Sequence, residues 1–227
     1  MIFPGERLPA TGSYGWKWLP RRTLAADRVL PGTFYLYHSG NPTNPCLAGL
    51  WRTRDGGRTW RMAYRGAIAP DSQHAAKLRS VPGKARHLFF TTAVHEGVDT
   101  RLRRSVDGGG NWSIVEWVDH VDDIAFGKPA RKGSYPTIFL SGRVKGRYGI
   151  WRSTDEAASW RMVADFPLGR LDRVNVMEAD RDVFGRVYIG FTGSGWVYGE
   201  PATCDPAALA STGDRQCAVL ASSSNAN

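Results

Sequence analysis

One eight-residue pattern recurs three times at a near-constant interval, and it restricts this chain to a repeat architecture. Thr53-Arg54-Asp55-Gly56-Gly57-Arg58-Thr59-Trp60 is the first copy. Ser105-Val106-Asp107-Gly108-Gly109-Gly110-Asn111-Trp112 is the second, and Ser153-Thr154-Asp155-Glu156-Ala157-Ala158-Ser159-Trp160 the third. Asp55, Asp107 and Asp155 stand 52 and 48 residues apart. Ser/Thr-x-Asp followed by small residues describes a hairpin turn. The Asp carboxylate accepts hydrogen bonds from turn N–H groups. The Gly-Gly of the first two copies supplies positive φ without a Cβ penalty. The aromatic then opens the returning strand and packs beneath the turn. The third copy has Glu156-Ala157 instead of Gly-Gly, which predicts a strained or reshaped turn.

Short β-rich stretches flank these turns. A first unit holds Phe34–Tyr37, Gly49–Arg52 and Thr59–Ala63. A second holds Ala76–Ser80, His87–Thr92, Arg101–Arg104 and Trp112–Val115. A third holds Asp123–Phe126, Thr137–Leu140, Gly149–Arg152 and Ser159–Val163, followed by Val174–Met177 and Gly185–Phe191. β-Branched and aromatic residues bounded by Gly, Pro and Asp support each strand. Four short antiparallel strands per repeat predict an all-β chain of β-propeller blades. The expectation is about three blades plus closing strands, an incomplete propeller over residues 1–200. Residues 201–227, rich in Ala, Ser and Asn, are expected to form a loosely ordered tail.

Composition narrows the classes further. Among 227 residues, 42% are apolar and 22% charged, which suits a globular chain rather than a disordered one. No apolar run approaches the roughly 20 residues of a transmembrane helix, so no membrane partner is expected. Met1–Arg7 has no apolar h-region, so no signal peptide is expected within the chain. The net charge is +9, and 24 of the 30 basic residues are Arg. They are spread along the strands and alternate with apolar residues, which predicts a solvated arginine-rich surface and no nucleic-acid partner. Of three cysteines, Cys204 and Cys217 could close a loop in the tail, which would leave Cys46 free. His38, His74, His87, His95 and His120 lack metal-ligand spacing, and no nucleotide or nucleophile-elbow motif occurs. No metal, cofactor or catalytic residue is assigned.

The three turns resemble the Asp-box, or BNR, repeat of propellers in sialidases, sortilin-type receptors and polysaccharide hydrolases. The resemblance gives Asp55, Trp60, Asp107, Trp112, Asp155 and Trp160 a structural role at the blade periphery. Sialidases also carry an Arg-Ile-Pro segment, which is absent here. Further landmarks are similar to xyloglucan-active enzymes of glycoside hydrolase family 74. These are Leu24–Tyr35, Arg79-Ser80-Val81-Pro82-Gly83-Lys84, Ile124–Ala130 with Ser134-Tyr135-Pro136, and Asp182–Gly190 with Gly195-Trp196-Val197-Tyr198-Gly199. They fall in family order across residues 15–200.

The resemblance implies the C-terminal part of an inverting endo-β-1,4-glucanase acting on xyloglucan, with two tandem propellers around a cleft. Inversion needs an acid and a base carboxylate on opposite faces of the scissile bond. In the family both are Asp and lie upstream of the matched landmarks, so this chain is expected to lack them. Its implied role is scaffold and glycan contact, beside the remaining N-terminal propeller portion. Tyr14, Trp16 and Trp18 fall where the family has a Gly-Trp-rich loop near the cleft, and are the candidate substrate-binding residues. Family members are secreted, which implies an extracellular or periplasmic setting and an upstream signal peptide. Two segments depart from the family: Phe166–Arg173 lacks its His/Gln-containing stretch, and Ser194-Gly195-Trp196 replaces a Gly-Arg-Gly run. The alternative is a non-catalytic Asp-box propeller module that binds protein or glycan.

Overall fold

The structure is a computed structural model and describes residues 22–38, 45–69, 76–92, 99–165, 174–193 and 195–201, with the backbone of 218–219. Apart from a single 3-10 turn at Pro45–Leu47, the regular elements of the described residues are β-strands. Internal contacts divide the chain into two units, Met1–Asp122 and Asp123–Asn227.

The first unit holds two four-stranded antiparallel sheets, each with its strands in chain order. One comprises β1 (Leu24–Ala26), β2 (Phe34–His38), β3 (Gly49–Thr53) and β4 (Arg61–Arg65). The other comprises β5 (Lys77–Ser80), β6 (Leu88–Thr91), β7 (Arg103–Ser105) and β8 (Ser113–Ile114). Tyr35 and Tyr37 of β2, Leu78 of β5 and Leu88 and Phe90 of β6 face a shared core that also holds Ala25 and Leu50. Tyr37 and Phe90 meet edge to face there, with ring centroids 4.8 Å apart, an arrangement the ring quadrupoles favour.

A third sheet comprises β9 (Val118–Gly127), which begins in the last residues of the first unit, β10 (Thr137–Val144), β11 (Arg147–Ser153) and β12 (Arg161–Asp165). The fourth comprises β13 (Val174–Ala179), β14 (Val187–Phe191), β15 (Trp196–Pro201) and β16 (Ala218–Val219). The core of the second unit gathers Phe139 and Ile150 with Met177, Val187 and Ile189. Asp123 is fully buried, and its carboxylate accepts the N–H groups of Ile124 and Met177 at 2.9 and 3.0 Å.

The expectation of about three blades plus closing strands thus resolves into four sheets of four. The fourth escaped the count because the sequence between β15 and β16, which holds Thr203-Cys204-Asp205 and Thr212-Gly213-Asp214, has no Trp five residues after either Asp. β1 was missed because three residues alternating exposed, buried, exposed give too short a signal. β16 lies in the segment expected to be loose and pairs with Glu200 and Pro201 of β15.

The arginines are not all solvated. Arg103 is only 6% exposed. Arg52 donates to the carbonyls of Asp107 and Gly108, at 3.4 and 3.3 Å, and so ties its sheet to the turn of the next one in the first unit. Arg152, 100 residues on, lies over the Phe184 ring, 5.4 Å from its centroid. The long Arg side chain reaches from a strand edge to a neighbouring turn, which alternation along the strand alone does not reveal.

Candidate functional site

The three repeated turns share one hydrogen-bond design. Thr53 Oγ1 donates to Asp55 Oδ1 at 2.7 Å and accepts the Gly57 N–H at 3.0 Å. The Asp55 carboxylate accepts the Thr59 N–H at 2.9 Å and the Thr59 hydroxyl at 2.6 Å. In the second copy Ser105 does the work of Thr53, and Asn111 donates its N–H and its side-chain amide to Asp107 at 3.1 and 2.7 Å. In the third, Ser153 and Ser159 take the same places around Asp155. The indole N–H groups of Trp60 and Trp112 close the first two turns on the carbonyls of Gly57 and Gly109, at 3.0 and 3.2 Å. Trp160 Nε1 finds no acceptor among the described residues.

These carboxylates are held in the ionised form. The Thr59 hydroxyl, then the Thr59 N–H and the Thr53 hydroxyl, keep Asp55 well below the usual range. Burial pushes Asp107 up, but the bonds from Asn111, Ser105 and Gly110 outweigh it and bring it down. Asp155 follows the same balance with Ser159 and Ser153. A carboxylate saturated with donors and ionised well below neutral pH clamps a turn. It has no proton to give at the pH where a general acid works.

Glu156 and Ala157 show what the third copy does without glycine. Both adopt left-handed φ, at +64° and +71°, where Gly56 and Gly57 sit at +76° and +96°. The turn is therefore kept in shape and strained. Replacing Glu156 by Gly is expected to stabilise the protein by about 1 kcal/mol, the left-handed penalty less the extra unfolded-state entropy of glycine. Thermal unfolding would then rise by about 2–4 °C. An unchanged or lower midpoint would show that the turn carries no such strain.

A second kind of clamp also repeats. Ala26-Asp27-Arg28 with Gly32 and Tyr35 matches Ala179-Asp180-Arg181 with Gly185 and Tyr188 at identical spacing. Asp27 accepts the N–H groups of Val29 and Leu30, each at 2.9 Å, and the Tyr35 hydroxyl at 2.7 Å. Asp180 accepts those of Asp182 and Val183 at 2.8 and 2.9 Å, with the Tyr188 hydroxyl at 3.4 Å. The shared spacing was the signal. It joins first and second strands, whereas the Ser/Thr-x-Asp turns join third and fourth.

Both kinds of clamp therefore lie at one end of each antiparallel sheet. The opposite end carries the second-to-third loops and the connections that leave for the next sheet. In the second sheet that end holds Asp99, which accepts Arg101 Nε and Nη2 at 3.0 and 2.9 Å and also pairs with Arg103. The Arg101 guanidinium holds Asp99 well below the usual carboxylate range, against burial. Thr100 donates to the Asp119 carbonyl at 3.1 Å. Beside them Trp117, in the connection between β8 and β9, has φ +64° and is 59% exposed. Left-handed backbone is costly for a bulky residue, as it is for Glu156 and Ala157 in the third turn. Nothing in Glu116-Trp117-Val118 announces that backbone, so sequence reading passed Trp117 over. Tyr14, Trp16 and Trp18 lie outside the described residues, as do Cys204 and Cys217, while Cys46 is a free, exposed thiol. Among the described residues no three His, Cys, Asp or Glu side chains cluster as a metal site would require.

Four-stranded antiparallel meanders, packed sheet on sheet within each unit and punctuated by repeated Asp-centred turns, define a portion of a β-propeller protein. Comparison with known proteins places that portion. The chain is 33% identical over 184 residues to the xyloglucanase Xgh74A of Acetivibrio thermocellus, covering 81% of this chain and 20% of that protein. It is 27% identical over 201 residues to a Paenibacillus xyloglucanase, covering 87% of this chain and 18% of the relative. Among solved structures, the family 74 enzyme of Niastella koreensis superposes with a TM-score of 0.60 at 26% identity, over 77% of this chain and 24% of that one. An ancestral family 74 enzyme shares the fold, with a TM-score of 0.52. No family model matches the chain. The chain is thus a partial portion of a protein like those of glycoside hydrolase family 74, and spans 18–23% of the length of the curated relatives it matches.

Proposed function

We propose that this chain serves as a propeller portion of a xyloglucanase-like glycoside hydrolase. It supplies scaffold and glycan contacts, while the acid and base of hydrolysis lie elsewhere in the complete protein. The observation that carries this reading is the similarity to xyloglucanases along more than four fifths of the chain. The chemistry of the carboxylates supports the non-catalytic part. An inverting hydrolase needs one carboxyl with a raised pKa as acid. Among the described residues, Asp27, Asp55, Asp99, Asp107, Asp155 and Asp180 all titrate below the ordinary carboxylate value.

Glycan contact is assigned to aromatic rings at the sheet ends opposite the Asp turns. Trp117, 59% exposed, is one described residue of this kind, and Tyr14, Trp16 and Trp18 are proposed to share the contact. Aromatic faces stack on the apolar faces of sugar rings. A polysaccharide substrate also implies action outside the cytoplasm. No helix among the described residues is long and apolar enough to cross a membrane.

Hydrolysis of xyloglucan by the complete protein, measured by reducing-end release, tests the reading. The chain alone should bind xyloglucan without cutting it, and Trp117→Ala should weaken binding about tenfold. Cleavage by the isolated chain would overturn the scaffold assignment. A complete protein that neither cuts nor binds any β-glucan would overturn the glycan assignment. It would leave the second reading, a protein-binding propeller module, which the same donor-saturated carboxylates support.

A further inference from the structure

The first Asp turn carries charge that the other two do not. Arg54 and Arg58 stand in it where the second copy has Val106 and Gly110 and the third has Thr154 and Ala158. All three turns close by the same bonds between Ser or Thr and Asp, so the clamp needs neither arginine. Next to the turn, Arg52 of β3 and Arg61 of β4 stand directly opposite one another. Like charges in that position repel and weaken a strand pair. The third sheet keeps the pair as Arg152 and Arg161. There Arg152 lies over the Phe184 ring, and the turn beside it adds no further cation.

Arg52, Arg54, Thr59 and Arg61 line a cleft of about 310 Å³, at the small end of the range for ligand pockets. Tyr35, Arg52 and Arg61 are register partners across β2, β3 and β4 and so share one sheet face. The second sheet already packs on that face, and Arg52 Nη1 donates to its Asp107 and Gly108 carbonyls. The cleft therefore lies beside an occupied sheet face, within one unit. Among the described residues no carboxylate lies within ion-pair distance of Arg52, Arg54 or Arg61. Asp55 is satisfied instead by Thr53 and Thr59, and Asp107 by Ser105 and Asn111. Burial, and then the Arg54 charge, pull the Arg52 guanidinium below its ordinary value.

We infer that Arg52, Arg54 and Arg61 form a binding cleft for an oxyanion, the carboxylate of an acidic sugar unit. A guanidinium fork takes the two oxygens of a carboxylate as a pair, and an anion among the three cations relieves their mutual repulsion. Arg52 engages Nη1 alone with the second sheet among the described residues, which leaves Nε and Nη2 to donate. The Thr59 hydroxyl gives its proton to Asp55, so its oxygen is placed to accept from a sugar hydroxyl. A neutral glucan has no use for three guanidiniums, so the cleft is separate from the aromatic contact proposed above. The choice of a sugar as the carrier rests on that reading; the oxyanion chemistry does not.

Isothermal titration of the full 227-residue chain with an oligogalacturonate, with the uncharged oligogalactose of the same length and with inorganic phosphate tests the cleft. The oligogalacturonate should bind, the uncharged sugar should not, and phosphate should compete for the same arginines. Arg54→Thr gives the first turn the residue of the third and leaves its clamp intact; it should lower affinity tenfold or more. Arg54→Lys keeps the charge without the fork and should cost severalfold. Arg131→Ala removes the same charge from an exposed site of the second unit and should change nothing. Circular dichroism checks that each variant keeps the wild-type fold. Equal losses in Arg131→Ala and Arg54→Thr would reveal a diffuse basic surface and overturn the cleft. Wild-type affinity in Arg54→Thr would also overturn it, as would equal binding of the uncharged sugar. Phosphate binding without oligogalacturonate binding would overturn the acidic-sugar assignment. A chain that binds xyloglucan but not oligogalacturonate keeps the function proposed above and loses the cleft.

Discussion

Replacing Gly49 by Ala should destabilise the protein by about 3–5 kcal/mol, the range of a clash that no rotamer change relieves. A Cβ built at Gly49 falls 2.1 Å from the carbonyl oxygen of Tyr64 on the neighbouring strand. Backbone must move to admit it, and that backbone is held by the β3–β4 ladder. The cause is local. The register slips between Leu50 and Trp51, and this irregularity draws the two strands together. The third sheet repeats the arrangement at Gly149, with the Ala164 carbonyl 2.7 Å from the built Cβ and the register slipping between Ile150 and Trp151. Gly133→Ala is the control. Its φ is +83° but its Cβ would meet nothing within 4 Å, so it should cost only about 1 kcal/mol. Thermal melts would then place Gly49→Ala about 6 °C or more below wild type. A Gly49→Ala protein no less stable than Gly133→Ala would refute the close-approach account.

The pair Gly49 and Gly149 also shows how far the sequence could be read. The two glycines open Gly49-Leu50-Trp51-Arg52 and Gly149-Ile150-Trp151-Arg152, so their strands were legible from the repeat alone. The reason for the glycine was not, because it depends on a carbonyl 15 residues away across a bulge. The Asp turns were legible for a physical reason: every partner of Asp55, Asp107 and Asp155 described above lies within four residues. A design that is local in space and in sequence leaves its signature in the order of residues. Trp117 is the opposite case. Its aromatic character was visible, but its left-handed φ is set by the connection between β8 and β9. The fourth sheet was half-legible, since β13 and β14 carry alternating apolar residues while β15 mixes Trp, Tyr, Gly and Glu.

The second large effect is expected at Asp27, where alanine should cost about 3 kcal/mol, because several donors lose their acceptor together. Tyr35 is fully buried, with 0% exposure, and its hydroxyl gives its proton to Asp27 Oδ2. The N–H groups of Val29, Leu30 and Arg86 point at the same carboxylate. Asp27→Ala orphans all of these, whereas Tyr35→Phe removes one donor and should cost about 1 kcal/mol. The double variant should be more stable than the sum of the two losses implies, since the orphaned hydroxyl is then gone. Asp180→Ala in the fourth sheet has the same spacing but a 3.4 Å contact to an exposed Tyr188, and should cost much less than Asp27→Ala. The pH dependence has a definite sign. Burial raises Asp27, but the Leu30 N–H, the Tyr35 hydroxyl and the N–H groups of Arg86 and Val29 together carry it below its ordinary value. A carboxylate lowered by folding stabilises above its unfolded pKa of about 3.9, and that share is lost as pH falls through the folded value. The advantage of wild type over Asp27→Asn should therefore be constant near neutrality and shrink below about pH 4. Tyr35 works in the other direction. Burial, then the Asp27 carboxylate, push its phenol well above the ordinary range. Its contribution is complete below about pH 10 and fades only as pH climbs toward the folded value. Denaturant melts of wild type, Asp27→Asn and Asp27→Ala from pH 3 to pH 8 read both arms of the first effect. A gap between wild type and Asp27→Asn that widens on acidification would show that the clamp does not act through its charge.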